Sequence, residues 1–151
     1  MADSHPSRPY PVRSSSSPRI SRVGLVGVPV TDQDRALAFY VDGLGLEKRV
    51  DVVRGDGTRW IEVAPPGDGT TIALIPARDG ATAGIETGIR LIVDTVHDEA
   101  AHDVRTVHAE LLARGVDADP EVVNLAGVPP MFAIRDPDGN ALRVVARHRT
   151  A

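Results

Sequence analysis

Apolar and polar residues along this chain follow first a period of two, then a helical period, and the order repeats. Val23, Leu25 and Gly27 alternate with Gly24, Val26, Val28 and Val30, so both faces of that stretch are apolar. The pattern predicts a strand covered on both sides. Pro29 has no N–H for a ladder, so one side of the strand is expected to be an edge or a seam. Thr31 and Asp32 follow, with Asp34 in the next turn, a helix start with an acidic first turn. Ala36, Leu37, Tyr40 and Val41 recur at helical spacing until Gly43 and Gly45 stop the helix. Residues 46–54 and 58–64 read as strands joined through Gly55-Asp56-Gly57, a hairpin signal. After a turn at residues 65–69, residues 70–75 form the next strand.

The same order then restarts beyond a Gly/Ala-rich linker at residues 78–86. Ile89, Leu91 and Val93 alternate with Arg90 and Ile92 as a strand. Val104, Val107, Leu111 and Leu112 mark a second helix, closed by Gly115. Residues 116–123, 131–135 and 141–147 read as strands, the last two separated by the dense turn signal Asp136-Pro137-Asp138-Gly139-Asn140. Strand–helix–strand–strand–strand thus occurs twice, roughly 60 residues apart, which indicates a duplicated unit. The expected organisation is one α+β domain over residues 21–151, with module one at 21–77, the linker at 78–86 and module two at 87–147. Residues 1–20 are rich in Ser, Pro and Arg, with Ser14 to Ser17 in a row. Such a stretch cannot bury enough apolar surface to offset its ordering entropy and is expected to be a flexible tail. The rival reading is a targeting peptide, against which Asp3 and the prolines count.

Composition narrows the function classes. The chain has 151 residues, a formal net charge of −4 and a pI near 5.7. That balance lacks the electrostatic term that nucleic-acid or anionic-membrane binding needs. With no cysteine, disulfide frameworks, thiolate metal sites and cysteine nucleophiles are excluded. No apolar run approaches the roughly 20 residues of a membrane span, and no apolar secretory core stands near the N-terminus. A cytoplasmic protein is expected. Lys48 is the only lysine among many arginines, a composition associated with high-GC bacteria.

The residues Val28-Pro29-Val30-Thr31-Asp32 through Ala38-Phe39-Tyr40 and Gly43-Leu44-Gly45 carry a family resemblance. So do Leu112-Ala113-Arg114-Gly115-Val116 and Phe132 through Asp136-Pro137-Asp138-Gly139-Asn140-Ala141-Leu142 in the second half. In this order and spacing the chain resembles the vicinal oxygen chelate superfamily of glyoxalases, bleomycin resistance proteins and dioxygenases. The resemblance implies two tandem βαβββ modules whose eight strands curl into a ligand trough with the helices outside. Val26, Val28 and Val30, like Ile89, Leu91 and Val93, would then face the helices. Leu25, Gly27, Gly88, Arg90 and Ile92 would face the trough.

The resemblance also says where a divalent ion would sit. The corresponding positions are Leu25, Ala73, Gly88 and Arg143, which offer no ligand atom or a permanent positive charge. A one-residue shift brings in Val26, Thr87, Ile89, Leu142 or Val144, which are no better. No metal and no cofactor is expected. His97, Asp98, Glu99 and His102, followed by His108, form a polar cluster, but not with the i, i+4 histidine pair of a helical metal site. A solvated loop and helix face is its plainer reading.

Other candidates lie on the predicted trough face. Arg90 and Arg143 suit a carboxylate, phosphate or phenolate, or else form structural ion pairs with Glu62, Glu86 or Asp51. Trp60 offers a flat ring for stacking an aromatic ligand, or simply packs. Glu62 shares its strand face and is a weak candidate general base, or an arginine partner. Of Met131 and Phe132, one should line the trough and the other the core. The ligand-binding set is therefore Leu25, Trp60, Glu62, Arg90, Met131 and Arg143. Two functions follow. One is a metal-independent protein that binds and sequesters an aromatic or anionic small molecule. The other is a lyase, isomerase or dioxygenase-related enzyme, metal-free or with an unrecognised metal site. Family members usually complete their troughs by pairing, so a homodimer is expected.

Overall fold

The computed structural model describes residues 20–67, 69–78, 82–94 and 103–147. The expected tail, apart from Ile20, and the His97–His102 cluster lie outside the described residues.

Among the described residues, eight strands and two α-helices follow the duplicated order. Module one comprises β1 (Leu25–Val30), α1 (Gln33–Ala38), β2 (Glu47–Val53), β3 (Arg59–Ala64) and β4 (Thr71–Pro76). Module two comprises β5 (Glu86–Val93), α2 (Val104–Ala113), β6 (Asp117–Ala118), β7 (Met131–Arg135) and β8 (Ala141–Ala146). The strands form two four-stranded sheets with equivalent orders, β1-β4-β3-β2 and β5-β8-β7-β6. In each sheet the first strand is an edge and pairs in parallel with the last. Pro29 sits on such an edge, where its missing N–H costs no ladder bond.

Local chemistry accounts for the element ends. The Asp32 side chain caps α1 by accepting from the Arg35 N–H at 3.0 Å. The helix continues as a π-helical turn over Phe39–Gly43 and stops at Gly45, whose φ is +77°. The β2–β3 hairpin closes through Arg54 and Thr58, whose backbone N–H and C=O bond at 2.8 Å, with Asp56 accepting from Thr58 inside the turn.

Alternation sorts the side chains as expected. Val28, Val30, Ile61, Val63, Ile72 and Leu74 of the first sheet are buried with Ala36 and Tyr40. Phe132, Ile134, Leu142 and Val144 of the second sheet are buried with Val104 and Leu111. Both sets belong to one apolar cluster, so the helix-side faces of the two sheets share a core. The opposite faces, carrying the exposed Leu25 and Ile75 on one sheet and Ile92 on the other, are open.

One expected strand is corrected. Residues 116–123 do not form a continuous strand: β6 covers only Asp117–Ala118, with an isolated bridge from Val123 to Met131. The Asp119 carboxylate, not a backbone carbonyl, accepts the Ala133 N–H at 3.1 Å, and the Asp119 carbonyl bonds His108 Nε2 at 2.7 Å. Pro120 then has no N–H to continue the ladder.

The turn after β7 clasps the modules. Asn140 is fully buried and uses both donors and both acceptor sites. Its amide nitrogen donates to the Pro29 carbonyl and to Asp136 Oδ2, each at 2.8 Å. Its Oδ1 accepts from the Gly84 and Ile85 N–H groups at 2.8 and 3.0 Å. Among the described residues, buried Asp136 has no cationic partner. Its carboxylate accepts instead from Tyr40 Oη, the Asn140 amide, and the backbone N–H groups of Asp138 and Asn140. The sequence marks this segment as a turn; the structure makes it a buried polar network joining β1, α1's extension, the linker and β8.

Candidate ligand-binding site

The predicted site residues fall into two groups, one on each open face. On the first sheet Trp60 and Glu62 stand two residues apart on β3, both half-buried. Trp60 Nε1–H donates to Glu62 Oε1 at 2.7 Å, and Thr71 Oγ1 donates to Glu62 Oε2 at 2.9 Å. The Arg54 guanidinium lies 4.0 Å from the centre of the Trp60 ring, a cation–π stack. Cross-strand neighbours of Glu62 are Val50 and Ala73, and Leu25 lies opposite Thr71. The Ile75 side chain folds over Gly27: a Cβ placed there would stand 2.6 Å from Ile75 Cδ1.

On the second sheet Arg90 and Arg143 are register partners on adjacent strands. Five residues of β5, from Glu86 to Arg90, run against only three of β8, from Ala141 to Arg143, and the bulge contains Gly88 at φ +72°. Arg143, half-buried, approaches the exposed Glu86 at 3.7 Å. Arg90 donates to the Gly88 carbonyl at 3.3 Å. Met131 is half-buried opposite Val145, itself the partner of Ile92; Phe132 turns into the core. Among the described residues no hydrogen bond or ion pair links the Trp60–Glu62 group to the Arg90–Arg143 group.

Electrostatics separates structural from available charges. Hydrogen bonds from Arg59 and Lys48 hold the Asp51 carboxyl well below the usual carboxylate range, so Asp51 serves the β2–β3 hairpin. Burial alone would raise Asp119, but the Arg135 guanidinium and the Ala133 N–H outweigh it and lower its carboxyl. His108 packs edge-on against Phe132 with ring centres 4.7 Å apart and is tied to the Asp119 carbonyl, a core role.

The residues do not fit a divalent ion. Leu25 projects on the open face, Ala73 is fully buried, Gly88 lies in the bulge and Arg143 is permanently cationic. Among the described residues no three His, Asp or Glu side chains converge in a metal-binding group. No helix of the described chain is long and apolar enough to cross a membrane.

Sequence reasoning missed a cleft of about 410 Å³ on the helix side, between Leu44, Leu46 and Pro65 of module one and Leu91, Val107 and Leu111 of module two. Asp94 at its edge pairs with Arg147 at 2.5 Å. The cleft supplies volume but little orienting chemistry, whereas the open faces supply both charge and an aromatic ring. Arg54 was also missed. Its place in a hairpin turn hides from the sequence that it reaches the ring of Trp60.

Comparison with known proteins agrees with this architecture. TnmS3, described as an antibiotic binding protein from Streptomyces sp. CB03234, is 32% identical, with 87% of this chain and all of that one aligned at a TM-score of 0.70. A superfamily member from Sphaerobacter thermophilus DSM 20745 is 32% identical over 85% of this chain and 98% of its own, at 0.74. A glyoxalase/bleomycin resistance protein from Streptomyces sp. CB03234 is also 32% identical over 82% and 99%, at 0.62. The uncharacterized protein YetH of Bacillus subtilis (strain 168) is 35% identical over 57 residues, 38% of this chain and about half (48%) of YetH. The profile of the Glyoxalase/Bleomycin resistance protein/Dioxygenase superfamily matches residues 22–144, and the chain belongs to that superfamily.

Proposed function

We propose that this protein binds and sequesters a small aromatic molecule bearing an anionic group, without a metal ion, in the cytoplasm. The carrying observation is the Arg90–Arg143 register pair on an open sheet face. Like charges directly opposite in a sheet are destabilising, and among the described residues this pair is offset by a long contact from Arg143 to Glu86 and a weaker attraction to Asp119. A carboxylate or phenolate between the guanidiniums would relieve the repulsion and gain charge-assisted hydrogen bonds. Trp60 and the aliphatic residues of the other open face supply the apolar part of the site. The antibiotic-binding description of TnmS3, similar over nearly the whole chain, supports a binding role.

The helix sides of both sheets feed one core, so within a chain the two open faces are turned away from each other. A C2 dimer would set the first sheet of one copy against the second sheet of its partner and bring both groups into one trough. The test is calorimetric titration of 2-naphthoate into wild type and Arg143→Ala. Losing a charge-assisted bond should weaken binding about ten- to a hundredfold. An unchanged affinity with a lowered melting temperature would make Arg143 a structural residue and sink the proposal.

A further inference from the structure

Among the described residues, Glu62 is a carboxylate without a counter-charge. Both of its oxygens are held, but by neutral donors: the Trp60 indole N–H at 2.7 Å and the Thr71 hydroxyl at 2.9 Å. None of the ion pairs among the described residues includes it. The carboxylates on neighbouring β2 do have basic partners: Asp51 takes Arg59 and Lys48, and Glu47 takes Arg49. Arg54 comes near, but its guanidinium stacks on the Trp60 ring. Side chains flanking Glu62 in register are aliphatic, Val50 on one side and Ala73 on the other. A half-buried charge in an apolar surround is costly, and the two neutral donors fix its direction without neutralising it.

We infer that Glu62 is the recognition point for a protonated amine carried on an apolar frame, with Thr71 and Trp60 positioning the carboxylate. The amine donates to the carboxylate oxygens while the frame covers Val50 and Leu25. This inference rests on the reading that the open faces hold the ligand, and it specifies the ligand further. With an anion at Arg90 and Arg143 and a cation at Glu62, the preferred small molecule is amphoteric, with its two charges at opposite ends of an apolar body. A ligand with only the negative charge would leave the carboxylate unpaired and bind less tightly.

The chain has a single tryptophan, so one indole N–H resonance reports on the Glu62 contact. The experiment titrates the full-length ¹⁵N-labelled protein with three probes of matched size: benzylammonium, benzyl alcohol and phenylacetate. Benzylammonium should shift the indole resonance saturably, and the other two should leave it in place. Glu62→Gln retains an acceptor for both neutral donors, and should lower benzylammonium affinity about tenfold or more with the fold intact. Equal shifts from all three probes, no shift from any of them, or undiminished binding by the variant would each overturn the inference. Should the variant fail to fold, the charge series on wild type decides alone. Phenylacetate separates the two claims. If it perturbs the Arg90 and Arg143 amides but benzylammonium does nothing at the indole, the amine site is wrong and the anion site stands. The reverse result removes the anion site and keeps the amine site.

Discussion

Tyr40 Oη donates to Asp136 Oδ2 at 3.0 Å across 96 residues of sequence, a buried hydrogen bond between the two modules. Tyr40→Phe removes one of four donors to the Asp136 carboxylate and leaves the Asn140 amide on the same oxygen at 2.8 Å. The expected loss is about 1–3 kcal/mol of stability, measured by urea unfolding at neutral pH. The variant also changes the alkaline limb. Burial first, then the charge of Asp136 and the hydrogen bond to it, push the Tyr40 phenol far above its usual 10.0. A hydroxyl that ionises near pH 10 unfolded but not when folded stabilises fully below that pH, and its contribution is lost as pH rises. The stability gap between wild type and Tyr40→Phe should therefore shrink above about pH 10. A gap that stays constant there would show that the phenol is not protected.

The acid limb has the opposite sign. Asp51 and Asp119 have folded values below the usual aspartate value of 3.8, the first through Arg59 and Lys48, the second through Arg135 and Ala133 in spite of burial. Depressed carboxylates contribute stability above their unfolded value and lose it as pH falls through the folded one. Stability should be nearly flat at neutral pH and decline below about pH 4. Asp119→Asn should flatten that decline while lowering neutral stability, since the Arg135 partner is lost. Screening keeps both effects modest, because the Arg135 and Asp119 side chains are about a third exposed. Parallel acid titrations of wild type and variant would refute this if their slopes were the same.

Much of the fold was legible because strand alternation is strong on both faces and the modules repeat. Val28, Val30, Phe132 and Val144 lie buried on the faces their periodicity gives them. The strand after α2 was misread because its apolar residues resemble a strand, while Asp119 and Pro120 break the ladder. The clasp was only half-legible. A turn motif announces a turn, but nothing local says that Asn140 reaches Pro29, 111 residues away. For the site, alternation put Trp60 with Glu62 and Arg90 with Arg143 on common faces. Which charges are neutralised depends on long-range contacts such as Arg54 on Trp60, which no periodicity encodes.

Gly84 tests the clasp from the linker side. Its φ is +83°, and a Cβ there would stand 2.9 Å from the Asp138 carbonyl oxygen. Gly45 has φ +77° with nothing within 4 Å of such a Cβ. Gly45→Ala should therefore incur only the left-handed backbone cost, about 1–2 kcal/mol. Gly84→Ala should cost more, because the clash also displaces the Asn140 contacts to Gly84 and Ile85. Equal melting temperatures for the two variants would mean that the linker yields and the clasp does not depend on it.

The composite trough makes a prediction about mixtures. If each site joins the first sheet of one copy to the second sheet of its partner, Glu62 and Arg143 of one site come from different chains. Glu62→Gln and Arg143→Ala should each weaken binding of an amphoteric probe such as 4-(aminomethyl)benzoate when prepared alone. When the two variants are unfolded together and refolded in equal amounts, about half the dimers should be mixed. In a mixed dimer one site carries both lesions and the other carries neither. About one quarter of all sites should then bind with wild-type affinity, a stoichiometry that calorimetry can resolve. If both groups of one site belonged to a single chain, no mixture could regenerate an intact site. Failure to recover any tight sites, with mixed dimers verified by native mass spectrometry, would overturn the composite trough. A monomeric mass for wild type at micromolar concentration would remove the dimer altogether.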